Sequence, residues 1–178
     1  SQQMTTIEVS TPAHTHPKLS RTSSKMHPSF PWPLVSVIIP VYNHADMLEE
    51  AASSVLNSTY SNIELILLDD GSTDSIEPVL SRLQNNPRVR IFRQPNQKLP
   101  RALTHAHKFI QGQFVTWTSA DNKMAPQAIE RMVQELLDHP EAVLVYADVA
   151  VIDDDGQLLQ DGSYRPQNVD ALLPGEFP

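Results

Sequence analysis

The 178-residue sequence contains no cysteine, which excludes a disulfide framework and a thiolate metal site. Positive charge is also scarce, because 13 Lys+Arg face 21 Asp+Glu and the formal net charge at pH 7 is -8. Proteins that bind nucleic acid or anionic membranes nonspecifically need a basic face, so this composition argues against both classes of partner. A small phosphorylated substrate remains compatible with it.

Long hydrophobic runs are missing as well. The longest apolar runs have the length of a strand, far below the roughly 20 residues of a membrane-spanning helix. No signal-peptide pattern opens the chain. Together with the lack of cysteine, these features predict a soluble cytoplasmic protein with no transmembrane segment in this chain, and the length fits a single domain.

Composition divides the chain near residue 33. Residues 1–33 are rich in Ser, Thr, His and Pro, contain few hydrophobic residues, and end in a proline-rich lead-in. Such a stretch cannot bury enough apolar surface to fold alone, which predicts a disordered tail. The folded domain is predicted over residues 34–178.

Strand-sized apolar segments alternate with segments of helical periodicity throughout this domain. The predicted strands are Val35–Val41, Ile63–Leu68, Val89–Phe92, Phe114–Thr118 and Ala142–Ala147, with Val149–Ile152 as a continuation or the start of a hairpin turning at Asp155-Gly156. The predicted helices begin with a capping Asn43, at Ile76, at Pro100 and at Pro126. This alternation is typical of a parallel α/β sheet.

An acidic pair follows the second predicted strand. Asp69 and Asp70 come directly after four large aliphatic residues and directly before a Gly-Ser-Thr-Asp turn. Two carboxylates at the exit of a buried strand are costly unless a cation or hydrogen-bond donors meet them. Ligands of parallel sheets bind beyond the carboxyl ends of the strands, so the pair marks a ligand site. The alternative is that the pair only caps the following turn.

Polar loops follow the first, second and fourth predicted strands, at residues 40–43, 69–74 and 119–122. The carboxyl ends of parallel strands share one edge of a sheet. The three loops are therefore expected to converge on one crevice.

These loops carry the segments VSVIIPVYN (35–43), LDDGSTD (68–74) and WTSADN (117–122). Over residues 34–165 the sequence resembles the inverting family 2 glycosyltransferases of the GT-A fold. The resemblance implies a GT-A-like, Rossmann-like three-layer sandwich with a mainly parallel sheet. It also implies that the domain is truncated on its C-terminal side, because family members usually continue well beyond this length.

In that family the first two loops hold the nucleotide of a sugar donor, so Pro40, Val41 and Tyr42 inherit a place in the donor site. Tyr42 is expected to lie against the base, since a tyrosine ring can stack on it. Asp70 is expected to accept a hydrogen bond from a ring N–H of uracil or its equivalent. Asp69 is expected either to hold the loop or to reach the ribose.

The third loop of the family is an Asp-X-Asp type motif that binds a divalent cation bridging the two donor phosphates. This chain has Ser119, Ala120 and Asp121 at the corresponding positions, so one of the expected carboxylates is missing. Asp121 is the remaining candidate ligand. One carboxylate suffices for Mg²⁺ or Mn²⁺ when waters and phosphates supply the other oxygens. The alternative is that Asp121 only shapes the turn.

Two cations lie at the start of the third predicted helix. Lys98 and Arg101 occupy a position where the helix N-terminus adds its own positive end, which suits a pyrophosphate or sugar hydroxyls. Further along this helix, His105 and His107 are two residues apart and face different directions. They therefore make a poor metal pair.

The resemblance implies an enzyme that transfers a sugar from a nucleotide-diphosphate donor, with UDP expected, to a hydroxyl of a carbohydrate or lipid-linked acceptor with inversion. The general base is expected beyond Pro178, so no catalytic residue is assigned. A noncatalytic nucleotide-sugar-binding module is the alternative. A receiver-type signalling domain fits worse, because its acidic pair should follow the first strand rather than the second.

Overall fold

The structure is a computed structural model that describes residues 3–5, 32–147 and 149–153. Its strands are β1 (Gln3–Thr5), β2 (Val35–Val41), β3 (Ile63–Asp69), β4 (Val89–Arg93), β5 (Phe114–Trp117) and β6 (Ala150–Ile152). Its helices are α1 (Ala45–Leu56), α2 (Glu77–Leu83), α3 (Lys98–Ala106), followed by a 3₁₀ turn (His107–Phe109), and α4 (Ala128–Asp138). No helix within the described ranges combines the length and apolar character needed to cross a membrane.

Four strands form a parallel sheet in the order β4-β3-β2-β5. The register aligns Val41 with Asp69 and Asp69 with Arg93, so β2, β3 and β4 end level with one another. The strands that precede the three polar loops are thus neighbours, in the order β3-β2-β5. This arrangement confirms the predicted, mainly parallel α/β sheet.

Side chains alternate between two apolar clusters on opposite faces of this sheet. Val37 and Leu65 face a larger core built with α1, α2 and α4. Ile38 and Ile66 face a smaller core in which α3 contributes Ala102 and Ala106. Helices therefore cover both faces, and the predicted three-layer sandwich is confirmed.

A buried charged network ties the strands together at the end of the sheet opposite the loops. The Glu64 carboxylate accepts hydrogen bonds from the Ser36 hydroxyl (2.5 Å), the Gln111 backbone N–H (2.7 Å) and the Arg90 guanidinium (2.9 Å). Burial alone would raise the pKa of Glu64, but these three donors together outweigh it and hold the pKa below its ordinary value. The network fixes β2, β3 and β4 side by side.

Helix α1 does not begin as predicted. Asn43 adopts a left-handed backbone (φ 58°) and lies outside the helix, and His44 takes the N-cap position without a side-chain cap bond. The exposed N–H of Ala45 instead donates to the Asp74 carboxylate at 2.9 Å. A cap from the neighbouring loop replaces the local one, because packing brings that loop to the helix end.

The two proline-marked helix starts are displaced. Helix α3 begins at Lys98, two residues before Pro100, and α4 begins at Ala128, two residues after Pro126. The Pro126 carbonyl accepts a 2.8 Å hydrogen bond from the Thr59 N–H, which anchors this residue to the segment after α1. Helix α2 starts one residue after the predicted Ile76, which is its N-cap.

The predicted strand Ala142–Ala147 is wrong. No strand is assigned there, and Val143 is 99% exposed. The segment has the β-branched composition of a strand, but a strand also needs a partner for its backbone, and this segment is not paired within the described residues. A strand does form within Val149–Ile152, but β6 (Ala150–Ile152) pairs antiparallel with β1 near the start of the chain and not with a following strand. The hairpin turn at Asp155-Gly156 lies outside the described residues.

Part of the predicted tail is described. Gln3–Thr5 form β1, and the backbone carbonyls of Trp32 and Pro33 accept hydrogen bonds from Asn62 (2.6 Å) and Tyr60 (2.5 Å). Burial raises the pKa of Tyr60 to about 12. The last residues before the sheet thus pack on the domain, while residues 6–31 lie outside the described ranges. The division at residue 33 stays a prediction.

Candidate donor-binding site

Four loops leave the sheet at its carboxyl edge. They begin at Tyr42 after β2, at Asp70 after β3, at Gln94 after β4 and at Thr118 after β5. Thr118 continues the line of β5, because its N–H donates to the Ile38 carbonyl at 3.0 Å. The three polar loops leave the same edge of the sheet, as the parallel strands predicted, and the loop after β4 joins them. Their convergence on one crevice stays a prediction.

The first two loops are locked to each other. The Asn43 N–H donates to the Ser72 hydroxyl (3.1 Å), and the Asn43 side-chain oxygen accepts from the Thr73 N–H (2.7 Å). Asn43 tolerates its left-handed backbone better than most residues, because its short polar side chain can hydrogen-bond locally. The YN sequence after β2 and the GSTD sequence after β3 therefore form one hydrogen-bonded unit.

Asp69 holds the loop that follows it. This buried carboxylate accepts a 2.8 Å hydrogen bond from the Ser72 N–H and lies 3.5 Å from the Arg93 Nε on β4. Of its two predicted roles, the loop-holding role is present in the structure.

Asp70 anchors the start of α3. Only 4% of it is exposed, and its carboxylate accepts hydrogen bonds from the Gln94 side-chain amide (2.6 Å) and from the backbone N–H groups of Gln97 (2.9 Å) and Lys98 (3.0 Å). Its own N–H donates to the Val41 carbonyl at 2.8 Å. A negative charge against the first N–H groups of a helix is favourable. Asp70 thus joins the loop after β3 to the loop after β4 and to the last residue of β2.

Gly71 is required by two constraints at once. Its φ of +79° is left-handed, and a Cβ built on it would lie 2.8 Å from the Asn96 backbone nitrogen. The loop after β3 thus passes so close to the loop after β4 that no side chain fits between them.

Tyr42 and Lys98 form the exposed part of the site. Tyr42 is 42% exposed, and the Lys98 Nζ lies 5.8 Å from the centroid of its ring, within range of a cation–π contact. Lys98 has a left-handed backbone (φ 69°), a conformation that is unfavourable for a side chain of this kind. The hydrogen bond from its N–H to Asp70 helps to hold it there.

The third loop presents a single carboxylate. Ala120 is 3% exposed and packs in the larger core, while the Ser119 carbonyl accepts a 3.2 Å hydrogen bond from the Asn122 N–H. Asp121 is half-buried, and its side chain makes no hydrogen bond or ion pair within the described part of the chain. That part also contains no group of three or more His, Asp or Glu able to hold a metal. A lone uncommitted carboxylate fits a Mg²⁺ or Mn²⁺ ion that takes its other oxygens from phosphates and water.

The remaining predicted site residues differ in what they can offer a ligand. Pro40 is half-buried, and Val41 is buried in the larger core, as is Ala120, so these last two can reach a ligand only through their backbone. Arg101 is exposed on the first turns of α3.

Two further residues belong to this region and were not predicted. Gln94 bonds to Asp70, and His105 bonds to Gln94. The sequence could have indicated Gln94, because it directly follows β4 just as Asp70 directly follows β3.

A model of the glycosyl transferase family 2 domain matches residues 36–170. The chain belongs to glycosyl transferase family 2. It is 35% identical over 136 residues to a chondroitin synthase of Pasteurella multocida, covering 76% of this chain and 14% of the synthase. It is 38% identical over 143 residues to an uncharacterized glycosyltransferase of Rickettsia conorii, covering 79% of this chain and 23% of that protein. This family 2 chain therefore spans less than a quarter of the length of these relatives.

Solved structures share the fold of this family 2 chain. The mannosyltransferase PcManGT from Pyrobaculum calidifontis, in complex with GDP-Man and Mn²⁺, matches with a TM-score of 0.56 and 25% identity, covering 62% of this chain and 37% of that one. Residues 1–349 of TarS from S. aureus, in complex with UDP-GlcNAc, match with a TM-score of 0.55 and 22% identity, covering 60% and 32%. These neighbours are GT-A glycosyltransferases, which confirms the GT-A-like fold.

Proposed function

We propose that this family 2 chain binds the nucleotide-diphosphate donor of a glycosyltransferase, with a UDP-sugar as donor, and supports inverting transfer of the sugar to a carbohydrate or lipid-linked hydroxyl. The observation that carries the proposal is the joining of the loops after β2, β3 and β4 around Asp70, next to an exposed Tyr42 ring. Family membership and the PcManGT complex with GDP-Man support the donor class.

The base is assigned to Tyr42 and Asp70. The half-exposed Tyr42 ring offers a stacking face, and the Lys98 ammonium above it adds a positive charge near the same place. A carboxylate has about four acceptor positions, and three of those of Asp70 are occupied by protein donors. No donor among the described residues takes the fourth position, which we assign to a ring N–H of the base, and Asp69 holds the adjacent loop in place.

The diphosphate is assigned to Lys98, Arg101 and Asp121. The two cations lie at the N-terminal turn of α3, where the helix dipole also favours an anion. Asp121 is the residue that would hold a divalent cation. When bound, such a cation neutralises charge on the departing nucleoside diphosphate. In the protein itself, Lys98 and Arg101 would stabilise the same charge by direct contact.

A nucleotide titration tests the proposal. The family 2 chain would be titrated with UDP, GDP and UMP by calorimetry, in Mn²⁺ and in chelator. We expect UDP with Mn²⁺ to bind best, and Tyr42→Ala to weaken that binding by about 1–3 kcal/mol through the loss of base stacking. Tyr146→Ala is the matched control, because Tyr146 is an exposed tyrosine outside the four loops. Equal affinity of wild type and Tyr42→Ala would contradict the assignment of the base.

Asp70→Asn tests the second base contact. The amide keeps the size of the side chain but replaces an acceptor with a donor, so UDP affinity should fall by about 1.5–3 kcal/mol. The titration must be run where the variant is folded, since the change also places an NH₂ group against the N–H donors of Gln97 or Lys98. Unchanged affinity would remove Asp70 from the base site.

A noncatalytic nucleotide-sugar-binding module is the second candidate. The observation that favours it is the single carboxylate of the third loop, where Ala120 is buried in the core. UDP binding that is tight yet independent of Mn²⁺ would support this candidate over the enzyme.

A further inference from the structure

A hydrogen-bonded chain runs from Asp70 away from the exposed part of the site; Asp70 and Gln94 are buried, and His105 is half-buried. Gln94 is 7% exposed and lies between two partners. Its side-chain nitrogen donates to the Asp70 Oδ1 at 2.6 Å, and its side-chain oxygen bonds to the His105 Nδ1. The chain thus connects the carboxylate after β3, the first residue after β4 and the last turn of α3.

The direction of these hydrogen bonds follows from the Asp70 carboxylate, which can only accept. Both oxygens of Asp70 already accept backbone N–H groups, from Gln97 and Lys98, so the carboxylate acts as an acceptor throughout. The Gln94 group facing it must therefore be the NH₂, which turns the Gln94 oxygen towards His105. An amide oxygen can only accept, so the His105 Nδ1 must carry the proton.

Aromatic packing fixes the far end of the chain. The His105 ring lies 5.3 Å from the Phe109 ring at a tilt of 59°, and Phe109 stacks on Phe92 with centroids 3.6 Å apart. Phe92 is on β4 and Phe109 follows α3. The His105 imidazole therefore packs against a stacked phenylalanine pair that connects the sheet to the end of α3.

We propose that Gln94 and His105 are positioning residues for the nucleotide. Resting on the donor-binding function proposed above, they orient the Asp70 carboxylate so that the acceptor position left open by the described residues meets the base, without touching the nucleotide themselves. His105 holds the Gln94 amide in one orientation, and Gln94 in turn holds Asp70. With an inverted Gln94 amide, two oxygens would face each other and the carboxylate would turn away from its position.

Variants of His105 test this inference by their effect on UDP affinity in Mn²⁺. His105→Leu removes the donor to Gln94 and should weaken UDP binding about three- to tenfold, the value of one hydrogen bond. His105→Asn places an amide N–H near the position of the Nδ1 and should restore the affinity to within about twofold of wild type, since it replaces that same hydrogen bond. His107→Leu is the matched control, because His107 is exposed two residues further along.

The rescue separates positioning from packing. His105→Asn loses the ring contact with Phe109 but keeps the donor, whereas His105→Leu keeps an apolar side chain and loses the donor. Equal affinities of wild type and His105→Leu, or weaker binding by His105→Asn than by His105→Leu, would overturn the inference. If wild type binds no nucleotide at all, the proposed function fails instead, which is a distinct result.

The ligand-free protein gives an independent readout. Nitrogen-15 spectra of the wild-type chain should show His105 protonated on Nδ1 in its neutral form, and Gln94→Leu should remove that preference. A neutral His105 protonated on Nε2 in wild type would contradict the hydrogen-bond direction on which the inference depends.

Discussion

The Asp74 carboxylate, in the loop after β3, accepts a 2.9 Å hydrogen bond from the backbone N–H of Ala45, the first residue of α1. A side chain 29 residues away in the sequence thus caps the N-terminus of α1. Because α1 begins directly after the first loop, this bond also fixes the loop that carries Tyr42.

Asp74→Ala should therefore destabilise the family 2 domain. The change removes the acceptor and the negative charge at the helix start, and caps of this kind contribute about 0.5–2 kcal/mol. Asp74→Asn keeps an acceptor oxygen and should lose less. Urea unfolding of the three proteins measures the difference, and an Asp74→Ala chain as stable as wild type would show that the bond contributes nothing.

Gly71→Ala should destabilise the domain by more than about 1 kcal/mol, because the residue has a left-handed φ and the added Cβ has no space beside Asn96. Gly71→Asn distinguishes these two causes. Asparagine tolerates the left-handed backbone but still carries a Cβ, so we expect it to be no more stable than the alanine variant. Thermal unfolding decides between them, and a rescue by asparagine would assign the whole cost to backbone conformation.

Asp121→Ala should uncouple metal from nucleotide. If this carboxylate is the only protein ligand, Mn²⁺ and UDP strengthen each other's binding by the same factor, and couplings of this kind are about 5- to 150-fold. The variant should bind UDP equally in Mn²⁺ and in chelator, while UMP binding stays close to that of wild type. Asp138→Ala, at the end of α4, is the control. An unchanged metal dependence in Asp121→Ala would make Asp121 a turn residue.

Glu64→Gln should lower stability in a pH-dependent way. The pKa of Glu64 is lowered in the folded state, so its contribution is fully present above the ordinary glutamate pKa of about 4.3 and is lost as pH falls through the lowered value. At pH 7 the variant should be less stable by about 1.5–3 kcal/mol, since hydrogen bonds to a charged group are lost. The difference should shrink towards acid pH.

The control for this series is Glu49→Gln. Glu49 forms an ion pair with Arg82 on the surface, and Arg82 lowers the pKa of the Glu49 carboxyl. Water screens an exposed pair, so its loss should change stability far less than the loss of Glu64. Urea unfolding from pH 7 to pH 3 compares the two variants, and a pH-independent deficit for Glu64→Gln would rule out the charge as its source.

The sequence by itself determined the architecture of this protein. Apolar runs at Val35–Val41 and Ile63–Leu68, separated by helical periodicity, predicted a parallel sheet, and this in turn placed Tyr42, Asp70 and Asp121 at one edge. The spacing of apolar residues is a local property of the chain, so the strands and helices could be predicted from it. The carboxyl ends of parallel strands lie at one edge of the sheet, so the position of the polar loops could be predicted as well.

Only the tertiary structure decided which groups meet at that edge. The partners of Asp70 include Gln94, which is 24 residues away, and the cap of α1 is Asp74 rather than the adjacent Asn43. Strand propensity in residues 142–147 likewise did not produce a strand there. Hydrogen-bond partners and strand pairing depend on which backbone groups packing brings within about 3 Å, and this distance is not encoded in local periodicity.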